Sequence, residues 1–235
     1  MKTNKFLLAN KACKWLAISG IAAALAACGG GGSDTVTTSE VSLTGTAATG
    51  NALGGAKITV TCASGTGTAT AATNGSYSLS IQGSGPCVLT ATSGGITYTS
   101  IATSSGNYNI DPLTTLLANY LATQAGTTPD NLLSTTNGKS ILSNTSEINA
   151  AETAITTLIQ NDYGVTLSTS NFLSAPIVPS GFGTQSATDV DLDNLVLTSA
   201  GAIGSSGVTS TAISLVDADA SNHPYTAPTG ASGGT

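Results

Sequence analysis

The sequence contains no arginine, a single histidine and little charge of either sign. Only 8% of the 235 residues are charged, and the six basic residues are all lysines. Four of them precede residue 15, which leaves Lys57 and Lys139 against all twelve acidic residues. Proteins that bind nucleic acids need clustered Lys and Arg to displace counterions from phosphates. The composition therefore excludes nucleic-acid binding, and on the same ground it excludes a basic peripheral contact with a membrane.

The single histidine limits the catalytic chemistry that the chain can carry. A Ser-His-Asp arrangement requires a histidine that a buried carboxylate holds in place. His223 stands beside Pro224 in a stretch of Ala, Ser, Thr, Pro and Gly, and we expect the segment 217–235 to be a disordered tail. The sequence also has no His-Glu-x-x-His helix and no phosphate loop with a lysine. It predicts a protein that is not an enzyme.

Cysteine is scarce, with four residues in the chain. Cys13 and Cys28 belong to the N-terminal 28 residues, which leaves Cys62 and Cys87 for the folded part. An even pair in an oxidising compartment is typical of a disulfide, here one that closes a loop of about 25 residues. Metal binding by the two thiols is the alternative, and it lacks a nearby histidine.

The first 27 residues have the layout of a secretory signal peptide. Four lysines precede an apolar segment over 15–27, which only Ser19 and Gly20 interrupt. A helix that spans a membrane needs roughly 20 apolar residues, so this segment is too short to cross comfortably. A membrane-spanning anchor is the alternative interpretation.

The tetrapeptide over 25–28, Leu-Ala-Ala-Cys, ends this apolar segment. It resembles the lipobox of bacterial lipoproteins, in which an aliphatic residue and two small residues precede an obligatory cysteine. The resemblance implies that residues 1–27 are removed and that Cys28 carries acyl chains, which anchor the protein in membrane lipid. Gly29 stands where an aspartate favours inner-membrane retention in Gram-negative lipoproteins, so the resemblance implies the outer membrane. An ordinary secretory cleavage site is the alternative.

The residues after the cysteine change character twice. Four glycines and a serine open the stretch 28–40, which predicts a flexible tether. From Val41 the apolar residues recur with a period of two, which is typical of β-strands. The predicted strands are 41–45, 56–62, 77–81, 87–91 and 96–101, with weaker ones at 68–73 and 108–110. Asn74-Gly75 predicts a tight hairpin turn, and strands at this spacing predict an antiparallel β-sandwich over 41–110.

Two stretches of this region have a family resemblance. Residues 50–60 (GNALGGAKITV) and 73–79 (TNGSYSL) resemble the carboxypeptidase-regulatory-like, or transthyretin-like, β-sandwich. The likeness covers about a third of the chain. It implies a mostly non-catalytic accessory, adhesive or binding module and supplies no catalytic residue. The whole succession, with the helix that begins at 112–116 (PLTTL), is similar to uncharacterised Gram-negative surface lipoproteins.

The segment 111–216 predicts a small helical region. Asp111 and Pro112 are typical of a helix start, and the apolar residues that follow share one helical face: Leu113, Leu116, Leu117, Tyr120 and Leu121. A longer helix is predicted from Thr145 to Gly164. The segments 195–199 and 208–216 predict a late β-hairpin. The predicted fold class is therefore α+β, a sandwich followed by helices and a late hairpin.

Two groups of residues are candidates for ligand binding. Asp189, Asp191 and Asp193 stand at alternate positions, as in the front half of a calcium loop. Asn194 replaces the loop glycine and Ala200 the bidentate glutamate, so a solvated acidic turn or helix start is the alternative. The second group, a possible sugar-stacking face, consists of Tyr77, Tyr98 and Tyr108; half-buried packing residues are the alternative.

Taken together, these features predict an envelope lipoprotein with a structural, adhesive or ligand-binding role. Its one predicted partner is membrane lipid through Cys28, and a protein or glycan ligand stays unidentified. A carbohydrate- or calcium-dependent surface binding module is the alternative. A hydrolase or its accessory subunit lacks the usual catalytic residues.

Overall fold

The computed structural model describes residues 39–197 and 201–227, and within these ranges the chain is mixed α+β. Seven strands come first and most of the helices follow. The described residues belong to one compact unit. The predicted boundary at residue 110 is therefore a change of secondary structure inside one unit.

The strands form two sheets, both largely antiparallel. Their bounds are β1 (Glu40–Thr46), β2 (Lys57–Ser64), β3 (Thr66–Thr70), β4 (Ser76–Gln82), β5 (Ser84–Ser93), β6 (Ile96–Ala102) and β7 (Gly106–Asn107). One sheet has the order β4-β1-β7, in which the short pair β1–β7 is parallel, and the other has the order β3-β2-β5-β6. The prediction of antiparallel strands over this region is confirmed.

Alternation along the strands separates a buried face from an exposed one. Val41 and Leu43 of β1 are buried, and the residues between them are exposed. Ile58 and Val60 of β2 follow the same pattern. The buried residues of both sheets belong to one hydrophobic cluster, which continues into the helices. The period of two in the sequence is thus the signature of sheets with one face in a shared core.

The turn at Asn74-Gly75 exists, but it does not join two paired strands. Oδ1 of Asn74 accepts a hydrogen bond from the N–H of Ser76 (3.1 Å), and Gly75 has φ of 80°. The strands on either side, β3 and β4, lie in different sheets. The predicted hairpin is therefore wrong, because the local turn chemistry does not reveal which neighbour each strand will pair with.

The disulfide between Cys62 and Cys87 is present, as predicted. Cys62 on β2 and Cys87 on β5 are directly opposite one another in the antiparallel ladder, with Cα atoms 3.8 Å apart. Both side chains are buried, 6% and 0% exposed. The bond therefore joins two neighbouring strands inside the core and closes the loop that contains β3 and β4.

Gly45 of β1 lies where no side chain fits. A Cβ atom there would be 1.8 Å from the carbonyl oxygen of Tyr108. We expect Gly45→Ala to lower the free energy of unfolding by about 1–3 kcal/mol, because the segment around Tyr108 must move away from β1. Urea denaturation measures this change. The matched control is Gly204→Ala, where the nearest atom is 3.5 Å away; equal losses in the two variants would contradict the prediction.

The helical region begins as the sequence predicts. Its first elements are α1 (Pro112–Gln124), a 3₁₀ helix (Pro129–Ser134), α2 (Thr136–Leu142) and α3 (Thr145–Tyr163). Oδ1 of Asp111 accepts from the N–H of Thr114 (2.8 Å), and Oγ1 of Thr114 accepts from the N–H of Asp111 (2.9 Å). Asn144 caps α3 in place of the predicted Thr145, and Gly164 ends it in the left-handed conformation.

Helix α1 is buried on nearly all sides, although the sequence predicts a single apolar face. It packs against β6, α3 and later helices at the same time. Two hydroxyls of α1 also form hydrogen bonds with the backbone of Thr99 in β6. Oγ1 of Thr115 accepts from the N–H of Thr99 (2.9 Å), and Oγ1 of Thr114 donates to the carbonyl of Thr99 (3.0 Å). The helix therefore covers a strand edge that would otherwise be unpaired.

The last third of the chain departs from the prediction. Its elements are α4 (Ala187–Leu197), a two-residue ladder of β8 (Ile203–Gly204) and β9 (Gly207–Val208), and α5 (Ser210–Ser221). The predicted late hairpin over 195–199 and 208–216 is wrong, since residues 195–197 belong to α4 and residues 210–216 belong to α5; residues 198 and 199 lie outside the described residues. Oγ1 of Thr209 caps α5, and Ala212, Val216 and Ala220 then face the core at a spacing of four. This spacing outweighs the β-propensity of the apolar run.

The predicted disordered tail is also wrong as far as residue 227. Helix α5 continues through Ser221, and Tyr225 is buried. The N–H of Tyr225 donates to the carbonyl of Gln124 (2.8 Å), and its hydroxyl lies 2.7 Å from Oγ of Ser140. Small residues in this stretch allow close packing on α1. The remaining part of the predicted tail, 228–235, lies outside the described residues.

Candidate functional site

A groove of about 500 Å³ runs between α3 and α5, with α1 at its floor. Both α3 and α5 pack against α1, but they make few contacts with one another. The floor contributes Tyr120 and Gln124. The α3 side contributes residues spaced three or four apart: Glu147, Ala150, Ala151, Ala154, Thr157, Leu158 and Asn161. The third side, from α5 and the residues just after it, contributes Asp219 and His223.

Hydrogen bonds to α1 hold the α5 side of the groove in place. The hydroxyl of Tyr120 donates to Oδ2 of Asp219 (2.8 Å), and Oγ1 of Thr123 donates to Oδ1 of Asp217 (2.9 Å). Nε2 of Gln124 donates to the carbonyl of His223 (2.9 Å). Burial raises the pKa of Tyr120, and the hydrogen bond to Asp219 and its charge raise it further. Tyr120 therefore remains a neutral hydrogen-bond donor to Asp219.

His223 has a defined position, contrary to the prediction that it lies in a disordered tail. Its Nδ1 is 3.0 Å from the carbonyl oxygen of Asp219 and 3.6 Å from Oδ2 of the same residue. A carbonyl oxygen can only accept, so Nδ1 carries the proton and Nε2 has the lone pair when the ring is neutral. The imidazole is 62% exposed. It differs in this respect from a histidine held by a buried carboxylate.

Gln124 leaves one polar atom without a partner at the groove. The residue is 9% exposed, and its Nε2 is used by the carbonyl of His223. Its Oε1 is buried, and within 39–197 and 201–227 no group donates to it. A buried acceptor without a donor costs roughly 1–3 kcal/mol. Gln124 therefore has an unpaired acceptor that is buried beneath the floor of the groove.

Two carboxyl groups are buried away from this groove. Asp111 is 0% exposed, and its Oδ2 has no partner among the described residues. Burial, with a smaller contribution from the charge of Glu152, raises its pKa to about 7. Hydrogen bonds from the N–H groups of Thr114 and Leu113 lower the pKa and offset part of this rise. Glu152 is 3% exposed and accepts from the N–H of Leu173 (2.9 Å); burial raises its pKa to about 7 as well. We infer that these two carboxyl groups affect the stability of the fold and its dependence on pH.

The three aspartates predicted to bind calcium do not converge. Nε2 of Gln185 donates to Asp189 (2.8 Å) and to Asp193 (2.7 Å), which lie four residues apart on α4. Asp191 instead accepts from the N–H and the hydroxyl of Ser168, at 2.8 and 2.6 Å. No three His, Cys, Asp or Glu side chains form a metal-binding group in the described parts of the chain. The structure corrects the prediction: the residues are part of a helix, and alternate helical positions face different directions.

The predicted sugar-stacking face is absent at its three tyrosines. Tyr77, Tyr98 and Tyr108 are 5%, 4% and 9% exposed. The hydroxyl of Tyr77 donates to the carbonyl of Tyr108 (2.5 Å), and the Tyr108 hydroxyl lies 2.9 Å from Oγ1 of Thr103. The rings are packing residues, because all three belong to the hydrophobic core cluster.

The predicted lipidation site, Cys28, lies outside the described residues, as does the leader before it. Within the described ranges, no helix has both the length and the apolar character to cross a bilayer.

Sequence reasoning missed the groove. Tyr120 and Asp219 are 99 residues apart in the chain, and so are Gln124 and His223. One signal was available. Gln124 follows Tyr120 by four residues and His223 follows Asp219 by four, which is the spacing of neighbours on one face of a helix.

No protein-family model, no curated protein and no solved structure matches this chain. Its function is therefore inferred from its leader, its groove and its buried side chains.

Proposed function

We propose that this protein is a lipid-anchored lipoprotein of the bacterial outer membrane with a non-catalytic structural, adhesive or ligand-binding role. The observation that carries the proposal is the leader, whose basic flank and short apolar segment end in the lipobox-like tetrapeptide at Cys28. A glycine-rich stretch follows, and the first described strand begins at Glu40. This order suits a folded body held at a short distance from a lipid surface.

The disulfide supports export. A bond between Cys62 and Cys87 forms and persists in an oxidising compartment, and it is rare in the cytosol. The antiparallel sheets over β1–β7 support the transthyretin-like β-sandwich as the fold of this half. The two stretches that resemble that family include the start of β2 and the turn before β4.

The geometry around His223 supports a binding role over catalysis. The imidazole is 62% exposed, so its contact with Asp219 is weakened by water and salt. Thr157, the threonine among the lining residues of the groove, donates its hydroxyl to the carbonyl of Thr153 on its own helix (3.0 Å). The groove itself has the volume of an ordinary small-ligand site, roughly 300–1,000 Å³.

The anchor is tested by replacing the cysteine. Intact protein extracted from membranes is expected to have the mass of a chain that begins at Cys28, plus acyl chains. Cys28→Ser is expected to release the body from the membrane fraction or to leave the full-length precursor uncut, because no sulfur is available for the lipid. Mass spectrometry and membrane fractionation measure both results.

Cys13→Ser is the matched control, since it removes a thiol from the leader and leaves the tetrapeptide intact. It is expected to fractionate like the unmodified protein. A Cys28→Ser variant that is cleaved normally and still sediments with membranes would overturn the proposed anchor.

A further inference from the structure

The groove between α3 and α5 is rich in hydrogen-bond acceptors. Glu147 and Asp219 contribute carboxylates to its lining. When its ring is neutral, His223 adds the lone pair of Nε2, since its Nδ1 is directed at a carbonyl oxygen. No lysine or arginine is among the lining residues. A ligand that fits this groove must therefore supply donors, and positive charge favours it.

The rest of the body reinforces this preference. After Cys28 the sequence has only Lys57 and Lys139 against twelve acidic residues. Such an excess of negative charge attracts cations toward the surface and repels anions. An anionic ligand is thus disfavoured both by the groove and by the charge of the protein around it.

The α3 side of the groove accommodates a hydrocarbon chain. Ala151, Ala154 and Leu158 recur at three- and four-residue spacing along this helix, so they form an apolar strip on one face. Glu147 and Asn161, near opposite ends of the same face, are separated by about 21 Å of helix. The groove is therefore elongated, with apolar surface along its length and polar groups near its ends.

We propose that this groove binds primary ammonium groups carried on an aliphatic chain, such as a free polyamine or the side chain of a lysine in a peptide. An ammonium group has three N–H donors and no acceptor, which suits the carboxylates of Glu147 and Asp219. Its methylene chain packs on the alanine and leucine strip. The inference rests on the binding role proposed above and names its ligand class.

Isothermal titration of the full chain, purified from its host membranes in detergent, tests the proposal. The probes are 1,5-diaminopentane, its uncharged analogue 1,5-pentanediol and an acetylated, amidated tri-lysine peptide. The diamine is expected to bind and the diol is not, because only the diamine supplies charged N–H donors. Whichever of diamine and peptide binds more tightly identifies the source of the ammonium group. Raising the salt concentration is expected to weaken binding.

Variants connect binding to the groove. Asp219→Asn and Glu147→Gln are each expected to weaken diamine binding by about tenfold or more, which corresponds to about 1.4 kcal/mol. Asn at 219 can still accept from the hydroxyl of Tyr120, so the helices stay in place. Asp130→Asn, an exposed acid outside the groove, is the matched control and is expected to bind within about twofold of the unmodified protein.

Three results would overturn the ammonium site: no heat with the diamine or the peptide, equal binding of the diol, or equal weakening in Asp130→Asn. If the diol binds as tightly as the diamine and Glu147→Gln weakens the binding of the diol, the proposed ligand class is wrong but the groove is still a binding site. The anchor is measured separately by mass and fractionation, so its failure is distinguishable from a failure here.

Discussion

The free energy of unfolding is expected to fall by on the order of 5 kcal/mol as the pH rises from about 4 to about 8. The cause is the buried pair Asp111 and Glu152. Burial raises the pKa of Asp111 from 3.8 to about 7 and that of Glu152 from 4.5 to about 7. Each shift of one unit is worth roughly 1.4 kcal/mol, and some relaxation of the structure around the charges offsets part of the sum.

The sign follows from which state holds the protons. Between the unfolded pKa values near 4 and the folded values near 7, the folded protein keeps both carboxyls protonated while the unfolded chain has released its protons. Raising the pH in this window therefore favours the unfolded chain. Below about pH 4 both states are protonated and the dependence disappears. Within the described residues, no cation pairs with either group to oppose this effect.

Asp111→Asn isolates half of the effect. Asn is a good helix cap, because its side-chain oxygen can accept from the N–H of Thr114 as the aspartate does. The variant is expected to be more stable than the unmodified protein at about pH 8, and its stability should depend about half as strongly on pH. Urea denaturation at a series of pH values measures this. Asp130→Asn, at an exposed position, is the control and should leave the profile unchanged.

A flat profile in the unmodified protein between about pH 4 and 8 would contradict the prediction. So would an equal response in the Asp111→Asn and Asp130→Asn variants. The double variant with Glu152→Gln should show less than the sum of the single effects, because the charge of Glu152 contributes to the pKa of Asp111.

Replacing both Cys62 and Cys87 by alanine is expected to lower the free energy of unfolding by about 3.5 kcal/mol. The bond links residues 25 apart in the chain, so its loss frees the unfolded chain to adopt more conformations. Alanine is preferred to serine, because both positions are buried and a hydroxyl there would need a new partner. Thermal or urea denaturation under non-reducing conditions measures the change.

Reduction separates the bond from the packing of the two sulfurs. A reducing agent should lower the stability of the unmodified protein to nearly that of the double variant, and should leave the variant itself unaffected. A loss below about 1 kcal/mol in the double variant would show that the ladder between β2 and β5 holds these strands without the bond. If the disulfide is the cause, the difference in stability between the unmodified protein and the double variant should nearly disappear in reductant.

Local patterns in the sequence predicted the strands well. Residues of β1, β2, β4, β5 and β6 alternate between apolar and polar, and all five strands lie within two or three residues of the predicted bounds, β5 extending furthest. Asp111 and Pro112 likewise marked the start of α1, because a cap is chemistry between residues three apart. The pairing of Cys62 with Cys87 followed from the small number of cysteines left for the folded part.

Several candidate site residues could not be placed from the sequence. Tyr77 lies on the same face of β4 as Ile81, so its alternation with polar residues suits a core residue, and only the structure shows that both Tyr77 and Tyr98 are buried. The segment 208–216 has apolar residues that suit either a strand or a helix. Its cap at Thr209 and the burial of Ala220 against α1 decide for the helix.

The sequence by itself determined the acidic balance, the alternating strands and the helix start at Asp111. The leader with its lipobox-like end stays a prediction. Only the tertiary structure decided that α5 replaces a hairpin, that Asp111 and Glu152 are buried near one another, and that α1, α3 and α5 enclose an acceptor-rich groove. These features join residues far apart in the chain. Their positions depend on how the helices pack, which no local pattern encodes.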